Sequence, residues 1–378
     1  MFKKSLATVL VAVGIILSVT GCNNDSDNND RNIDTTAYKY NLSSIVPSEY
    51  NNVRGINVEK GSYISVIGKE KGTSYWNEVE RGARQAAEDL NKVLGYSGED
   101  KIKVTYNAPS SAEKTGEQVN ILDEELSRYP DVVVISTIDN NACLVQFDLA
   151  KENGIPILAM DSYNKHPGIK SMISTNNVEA GNTVSDKMIA EIGRSGEILI
   201  VSNSSESGAS LERSEGIRNR INETEGVDIA SVINFDKVDD IKEAIEEQLP
   251  ADSDISVDDM TKEELISYII DNNENIKGCI GTNYDATQAI LSAVPLCERA
   301  EEISVMGFDA GQEQLTALEQ GSLKGIVVQN PFGMGYASVV TAAKQISGQD
   351  IDKSIDTGYI WVTTENMESD TIKPMLYK

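Results

Sequence analysis

Histidine occurs once in this chain, at His166, and only four cysteines and two tryptophans are present among 378 residues. Aromatic residues make up 6% of the whole. A Ser-His-Asp triad would have to use His166, which sits in the turn-like stretch "NKHPG" and reads as a solvated loop residue. There is no G-x-S-x-G, no phosphate-binding Gly-rich loop and no H-E-x-x-H. Positive charge is also scarce. Lys and Arg total 33 against 60 Asp and Glu, for a net charge of −27, so a nucleic-acid backbone would be repelled. CxxC spacing is absent, and beyond Cys22 the remaining thiols, Cys143, Cys279 and Cys297, are odd in number and read as free and buried. The acidic pair Glu124–Glu125 reads as part of a solvated helix face.

One long apolar run is present, Leu6–Leu17, preceded by Lys3 and Lys4. It is shorter than an ordinary spanning helix and reads as the core of a secretory signal. Val19-Thr20-Gly21-Cys22 follows and resembles a bacterial lipobox, which implies that Cys22 becomes a lipidated N-terminus. Residues 1–22 are therefore expected to be a lipoprotein signal with its cysteine, and 23–61 a polar tether, beginning with the Asn/Asp-rich "NNDSDNNDRNIDTT". Removal of residues 1–21 takes away two lysines and no acid, leaving a still more acidic chain.

From residue 62 onward strands and helices alternate. "SYISVIG" (62–68), "KIKVTY" (101–106), "DVVVIS" (131–136) and "IPILAMD" (155–161) read as strands, several of them continuously apolar and so buried on both faces. Between them lie helical patterns. The first runs through Trp76, Val79, Ala83, Ala86 and Leu90, and others span 112–128 and 140–153. The pattern restarts with strands at 197–202, 227–233, 277–282, 303–309 and 325–329, and helices at 177–193, 209–223, 237–248, 284–299, 311–320 and 332–347. Such alternation implies parallel sheets with right-handed crossovers, and there are too many strands for one open sheet, so two α/β lobes are expected.

Ligands of open parallel sheets sit beyond the carboxyl ends of the strands. At those ends stand Lys69, Tyr75 and Trp76; Asp161 and Ser162; Arg213; Asn283; Asp309; and Gln329. Carboxylates, amides, a guanidinium and aromatic faces suit a polyhydroxylated, uncharged ligand. The acidic stretch "DSDISVDDMTKE" (252–263) has oxygen-bearing side chains at several calcium-loop positions, but Val257 occupies the place that needs glycine. Thr261 and Glu264 there also read as a capping box, and no metal or cofactor is expected.

These residues carry a resemblance to the ribose-type periplasmic sugar-binding proteins of the type I periplasmic-binding fold, the solute receptors of ABC transporters. It rests on "YISVIGKEKGTSYWNEVERGARQAAEDL", "VVVISTIDNNACLVQFDLAKENGIPILAMDS", "GASLERSEGIRNRI", "GCIGTNYDATQAIL" and "ISVMGFDAGQEQLTALEQGSLKGIVVQNPFGMGY", and it covers about residues 62–362. The resemblance implies two Rossmann-like lobes joined by a three-segment hinge, with crossings near Ser174, Gln329 and Thr357. The first lobe would comprise 62–173 and 330–357, the second 174–329 and 358–378. It implies that Tyr75 and Trp76 flank a sugar ring and that Asp161, Arg213, Asn283, Asp309 and Gln329 form the polar clamp. It also implies that Phe235 supplies an aromatic from the second lobe, and it places Lys69 where some arabinose-binding relatives have a lysine. Ser162 and Thr73 stand where the ribose-type pattern has arginine and asparagine, which argues against ribose itself.

The implied function is non-enzymatic. A monomeric, lipid-anchored, extracytoplasmic protein would capture a pentose or hexose and pass it to an ABC permease; the alternative is a sugar-sensing subunit for a membrane kinase or chemoreceptor, and a cell-surface enzyme is the rival of a different class. A transcriptional regulator shares the ligand domain, but no basic helix-turn-helix segment precedes residue 62.

Overall fold

All five side chains of the first strand, Tyr63–Ile67, are buried, as a strand covered on both faces requires. The computed structural model that shows this describes residues 33–247, 249 and 256–377. The first half of the chain runs α1 (Lys39–Ser43), β1 (Tyr63–Ile67), α2 (Ser74–Leu94), β2 (Lys103–Asn107), α3 (Thr115–Leu126), β3 (Val132–Ile135), α4 (Leu144–Glu152), β4 (Ile157–Met160) and β5 (Ile169–Ser174). The second runs α5 (Asn177–Glu191), β6 (Gly196–Ser202), α6 (Gly208–Asn222), β7 (Val227–Asn234), α7 (Val238–Glu246), α8 (Lys262–Asp271), β8 (Ile276–Gly281), α9 (Tyr284–Ala293), β9 (Ser304–Phe308), α10 (Gln312–Gln320) and β10 (Gly325–Gln329). It closes with α11 (Pro331–Ile346), β11 (Ser354–Asp356) and β12 (Tyr359–Val362).

Two six-stranded sheets result, in orders β2-β1-β3-β4-β5-β11 and β7-β6-β8-β9-β10-β12. Every pairing is parallel except β10 with β12. The two lobes thus repeat one strand order, and the expected α/β fold is borne out. The chain passes from the first sheet to the second after β5, returns after β10 and passes again after β11. These crossings lie side by side. Thr175 Oγ1 donates to Gln329 Oε1 at 3.1 Å, and the Asn330 amide nitrogen donates to the carbonyl of Thr357 at 2.8 Å.

Close helix contacts set the frame of each lobe. A Cβ on Gly82 would lie 2.0 Å from the Phe332 carbonyl oxygen, so α2 and α11 meet backbone to backbone. In the second lobe α5 and α6 do the same at Gly181 and Gly216; a Cβ on Gly181 would lie 2.4 Å from the carbonyl oxygen of Arg213.

The structure corrects four expectations. The polar tether does not extend to residue 61. Tyr38, Leu42, Ile45, Tyr50, Val53, Ile56 and Val58 are buried in the first lobe's core with residues of α2 and α11. Burying seven such side chains outweighs the polar residues between them. Glu125 is fully buried rather than solvated; it accepts from Tyr63, from Ser65 at 2.9 Å and from Asn107 at 3.2 Å, and pairs with Arg128. Burial alone would raise its carboxyl, but those donors hold it below the ordinary value. The His166 imidazole is only 8% exposed, packed 5.3 Å from the Phe147 ring, with Nε2 3.3 Å from Asp148. Strand β5 is a fifth strand of this half beyond the four expected, its burial mixed rather than continuous.

Cys143, Cys279 and Cys297 are free and buried. Thr261 and Glu264 form the capping box of α8, and Val257 is fully buried against Ile245 and Leu265. Asp252 and Asp254 of the acidic stretch lie outside the described residues, as does Cys22 with the whole signal segment. Among the described residues no helix is long and apolar enough to cross a membrane.

Candidate functional site

Residues just past the strand ends acquire a common environment because the lobes face each other there. Lys69 and Glu70 follow β1, and Tyr75 and Trp76 lie in the first turn of α2. Asp161 follows β4 directly, and Asp309 follows β9. Arg213 projects from α6, Asn283 caps α9, and Gln329 ends β10. Together they line a cavity of about 410 Å³. Eight of the ten residues singled out in the sequence are in that lining: Lys69, Tyr75, Trp76, Asp161, Arg213, Asn283, Asp309 and Gln329.

The two others are not. Ser162 is fully buried behind the wall, accepting from the Lys69 ammonium and donating to Asp161 Oδ2 at 3.2 Å. Phe235 packs against the second lobe's core with the Lys262 ammonium 4.6 Å from its ring centre. It stands after β7, the edge strand of its sheet, which carries it away from the cavity.

Asp161 is held from several sides. Oδ1 accepts from the Tyr75 hydroxyl at 2.8 Å, and Oδ2 from Ser136 Oγ at 2.8 Å, with Lys69 Nζ 3.2 Å away. Burial pushes its carboxyl up. Lys69, Arg213 and the Ser136 and Tyr75 hydroxyls outweigh that and hold it below the ordinary carboxylate value. Asp309 Oδ1 accepts from Gln329 Nε2 at 2.8 Å and from the Tyr377 hydroxyl at 3.0 Å, while Oδ2 accepts from the backbone N–H of Tyr284 at 2.9 Å. A carboxylate offers about four acceptor directions. Asp161 Oδ1 and Asp309 Oδ2 each have one direction left among the described residues.

Arg213 is 3% exposed. Its Nε donates to Asn177 Oδ1 at 2.9 Å and Nη1 to the carbonyl of Thr282 at 2.8 Å, with its guanidinium 4.5 Å from the centre of the Phe308 ring. Two of its five N–H groups are thereby committed, and Arg213 is among the residues that line the cavity. The Asn283 side chain accepts from Ala286 N at 3.2 Å through Oδ1, which turns its NH₂ group away from the helix it caps. Trp76 is 6% exposed and belongs to the first lobe's core, whereas Tyr75 is half-buried and packs against the cores of both lobes.

The lobes are in contact at this site. Lys69 Nζ donates to Ser207 Oγ at 3.1 Å across the cleft. A Cβ on Gly208, at the start of α6, would lie 2.1 Å from the carbonyl oxygen of Tyr163, so only a glycine permits this approach. Further acids, Glu70, Asp285 and Glu313, line the cavity. Burial raises Asp285, and its neighbours Asp309 and Glu113 raise it further. The lining holds more acids than bases and no histidine or cysteine, which suits a neutral ligand rich in hydroxyl groups and disfavours an anion.

Several lining residues were missed in the sequence. Asn203, Ser207 and Ser210 follow β6, and Tyr284 and Asp285 follow β8; the strand-end rule reaches all of them once applied residue by residue. Tyr377 had no such signal, since it follows no strand.

Comparison with known proteins agrees with this architecture. Residues 64–350 match the model of a family described as periplasmic binding protein domain. The chain is 22% identical over 275 residues to a xylitol-binding protein of Mycolicibacterium smegmatis, covering 72% of each chain. It is 21% identical over 267 residues to the ribose import binding protein of Haemophilus influenzae, covering 67% of this chain and 84% of that one. Among solved structures, a carbohydrate transporter solute-binding protein from Agrobacterium radiobacter in complex with D-arabinose superposes with a TM-score of 0.69 at 25% identity, covering 83% of this chain and 98% of that one. A solute-binding protein from Agrobacterium vitis with bound D-fucose superposes at 0.68 with 22% identity, covering 84% and 100%. With its two parallel-sheet lobes, its three crossings and this match over most of its length, the chain belongs to the periplasmic binding protein domain family, in the type I architecture.

Proposed function

We propose that this protein is an extracytoplasmic solute receptor that captures a monosaccharide, a pentose or a hexose, between its lobes and delivers it to an ABC permease. The observation that carries the reading is the pair Asp161 and Asp309. Each is contributed by a different lobe, each is buried, and each lines the shared cavity with one acceptor direction unused among the described residues. Two such carboxylates accept hydroxyl hydrogens, the Arg213 fork and the Asn283 amide donate to hydroxyl or ring oxygens, and Tyr75 presents an aromatic face to C–H surface. Lys69 and Trp76 complete the first lobe's contribution and Gln329 stands at a crossing. Relatives named as binding proteins for xylitol and ribose support the same class of ligand and a role without catalysis.

A ligand gripped by both lobes stabilises the closed arrangement over an open one by the contacts it gains in the second lobe. The test is a thermal-shift screen of the protein against neutral monosaccharides, since a ligand that binds only the folded state raises its midpoint. A raised midpoint with one or a few pentoses or hexoses is the expected result. A midpoint unmoved by all of them, with turnover of a glycoside instead, would overturn the reading.

Cys22 is proposed as the lipid-bearing residue that holds the receptor at the cell membrane, on the strength of Val19-Thr20-Gly21-Cys22 following a charged and apolar leader. Cys22→Ser should release the protein from the membrane fraction or block its processing. A wild-type protein found wholly in the medium without lipid would remove this part of the proposal.

A further inference from the structure

The carboxyl-terminal segment reaches the cleft. After β12 the chain runs over the second lobe, burying Met367 and, at the end of the turn Lys373–Met375, Met375. Tyr377 then enters the cavity wall at 4% exposure. Its hydroxyl donates to Asp309 Oδ1 at 3.0 Å, and its ring meets the Tyr75 ring edge-to-face, with centres 5.7 Å apart and planes at 77°. Tyr377 belongs to the second lobe's core, while Tyr75 projects from α2 of the first, so this ring pair lies between the lobes and borders the space left for ligand. It stands beyond residue 350, where the family match ends.

We infer that Tyr377 is a specificity-determining residue of the binding site, its ring limiting the size of sugar admitted and its hydroxyl occupying one of the acceptor directions of Asp309. This rests on the sugar-receptor reading above. Two properties follow from the geometry. The ring is a fixed wall, because its hydroxyl is bonded to Asp309 and the ring meets Tyr75 at a steep angle, so it does not yield to a larger ligand without breaking both contacts. And Asp309 is left with one open acceptor direction on Oδ2, since Tyr377 and Gln329 take both on Oδ1 and Tyr284 N takes one on Oδ2. Sugars that differ by one exocyclic group beside Asp309 should therefore be told apart by this residue.

The experiment is calorimetric titration of the full-length protein and its variants with matched pairs that differ by one exocyclic hydroxymethyl group: D-xylose and D-glucose, L-arabinose and D-galactose, D-ribose and D-allose. Tyr377→Ala and Tyr377→Leu should shift the hexose-to-pentose affinity ratio towards the hexose by about tenfold in the pair that binds, the discrimination one such group commonly supports. Tyr377→Phe keeps the ring but frees one acceptor direction on Asp309, and should shift that ratio less than either the Ala or the Leu variant. A residue with a structural role alone would weaken both members of a pair equally, and a ratio unchanged in both the Ala and Leu variants would overturn the inference while leaving the receptor reading intact. Should Tyr377→Ala fail to fold, Tyr377→Leu, which keeps apolar bulk at the buried position, carries the same comparison. If the wild-type protein binds no member of any pair, the receptor reading and this inference fall together.

Discussion

Asp161 and Asp309 occupy the same station in the two lobes. Each follows the fourth strand of its sheet and adopts a left-handed backbone, with φ of 62° and 75°. Each donates its backbone N–H to a carbonyl of the next strand, Ile173 at 2.9 Å and Val327 at 2.8 Å. Each accepts a tyrosine hydroxyl, from Tyr75 and Tyr377, and those two rings touch. Asp is among the few side chains that tolerate a left-handed backbone. The strained turn aims the carboxylate out from the sheet edge instead of along the strand.

The acid behaviour of Asp161 follows from its partners. Its carboxyl is held below the ordinary 3.8 by Lys69, Arg213 and two hydroxyls, acting against burial. A group whose folded-state value is depressed adds stability above its unfolded value and loses it as pH falls through the folded one. The thermal midpoint should therefore fall as pH drops below about 4. Asp161→Asn should flatten that part of the profile and lower stability near neutrality by about 3–5 kcal/mol, because the Lys69 ammonium is then buried beside no carboxylate. An acid limb of equal steepness in the variant would assign the loss to other carboxylates, such as Glu125.

Tyr75 and Trp76 are neighbours with different burial. Trp76→Ala should cost about 3–5 kcal/mol in urea unfolding, as for a large core side chain. Tyr75→Ala should cost less and weaken sugar binding more, since the half-buried ring borders the cavity. Equal unfolding penalties with unchanged affinity in Tyr75→Ala would make both residues core.

Arg213→Lys keeps the charge and removes the fork. The bonds to Asn177 and Thr282 cannot both be made by one ammonium that also reaches the cavity. Loss of charged hydrogen bonds worth about 1.5–3 kcal/mol should weaken sugar binding about tenfold to a hundredfold. Small-angle scattering should show less compaction on adding sugar. A variant that binds and compacts like wild type would remove Arg213 from the site.

Asn330 has all four of its side-chain bonds made. Its oxygen accepts from Asn41 Nδ2 and Gly333 N, both at 3.0 Å, and its nitrogen donates to the carbonyls of Asn41 at 2.7 Å and Thr357 at 2.8 Å. Asn330→Asp turns two donor contacts into a carboxylate facing two carbonyls. It should destabilise by more than Asn330→Ala, which leaves the partners unpaired at about 1–3 kcal/mol each. Denaturant unfolding of the two variants decides the order, and a milder Asp variant would mean that water replaces the lost donors.

The strands buried on both faces were legible because their burial is written as continuous apolar runs: "VVVI" and "GIVV" need no tertiary context. Helix α2 was legible through the spacing of Trp76, Val79, Ala83, Ala86 and Leu90, all of which are buried. The N-terminal segment was not: Tyr38, Leu42 and Ile45 keep a helical spacing across the short α1, but that one turn is overshadowed by the Asn/Asp-rich stretch before it, and Tyr50 and Val53 follow in an irregular run that only the groove they fill explains. Strand-end chemistry located most of the cavity. It did not reach Tyr377, which arrives from the far end of the chain with no local pattern to announce it, and Phe235, which the resemblance alone implied, follows a strand at the sheet edge and lies outside the cavity lining.

The segment before β1 is fastened at the pivot between the lobes. Asn41 is bonded reciprocally to Asn330, Val46 exchanges backbone hydrogen bonds of 2.8 and 2.9 Å with Asp356, and Ser44 lies so close to Gly358 that a Cβ there would come within 2.9 Å. Asn330, Asp356 and Gly358 belong to the crossings themselves or border them. Traction on the chain ahead of Tyr38 would thus be met first by the first lobe's core, where Tyr38 is bonded to Asp89 and packed on Phe332, and next by the crossings, through Asn41 and Val46. A pull from the amino end would therefore be shared between one lobe and the connections common to both, and the second lobe would feel it only through those connections.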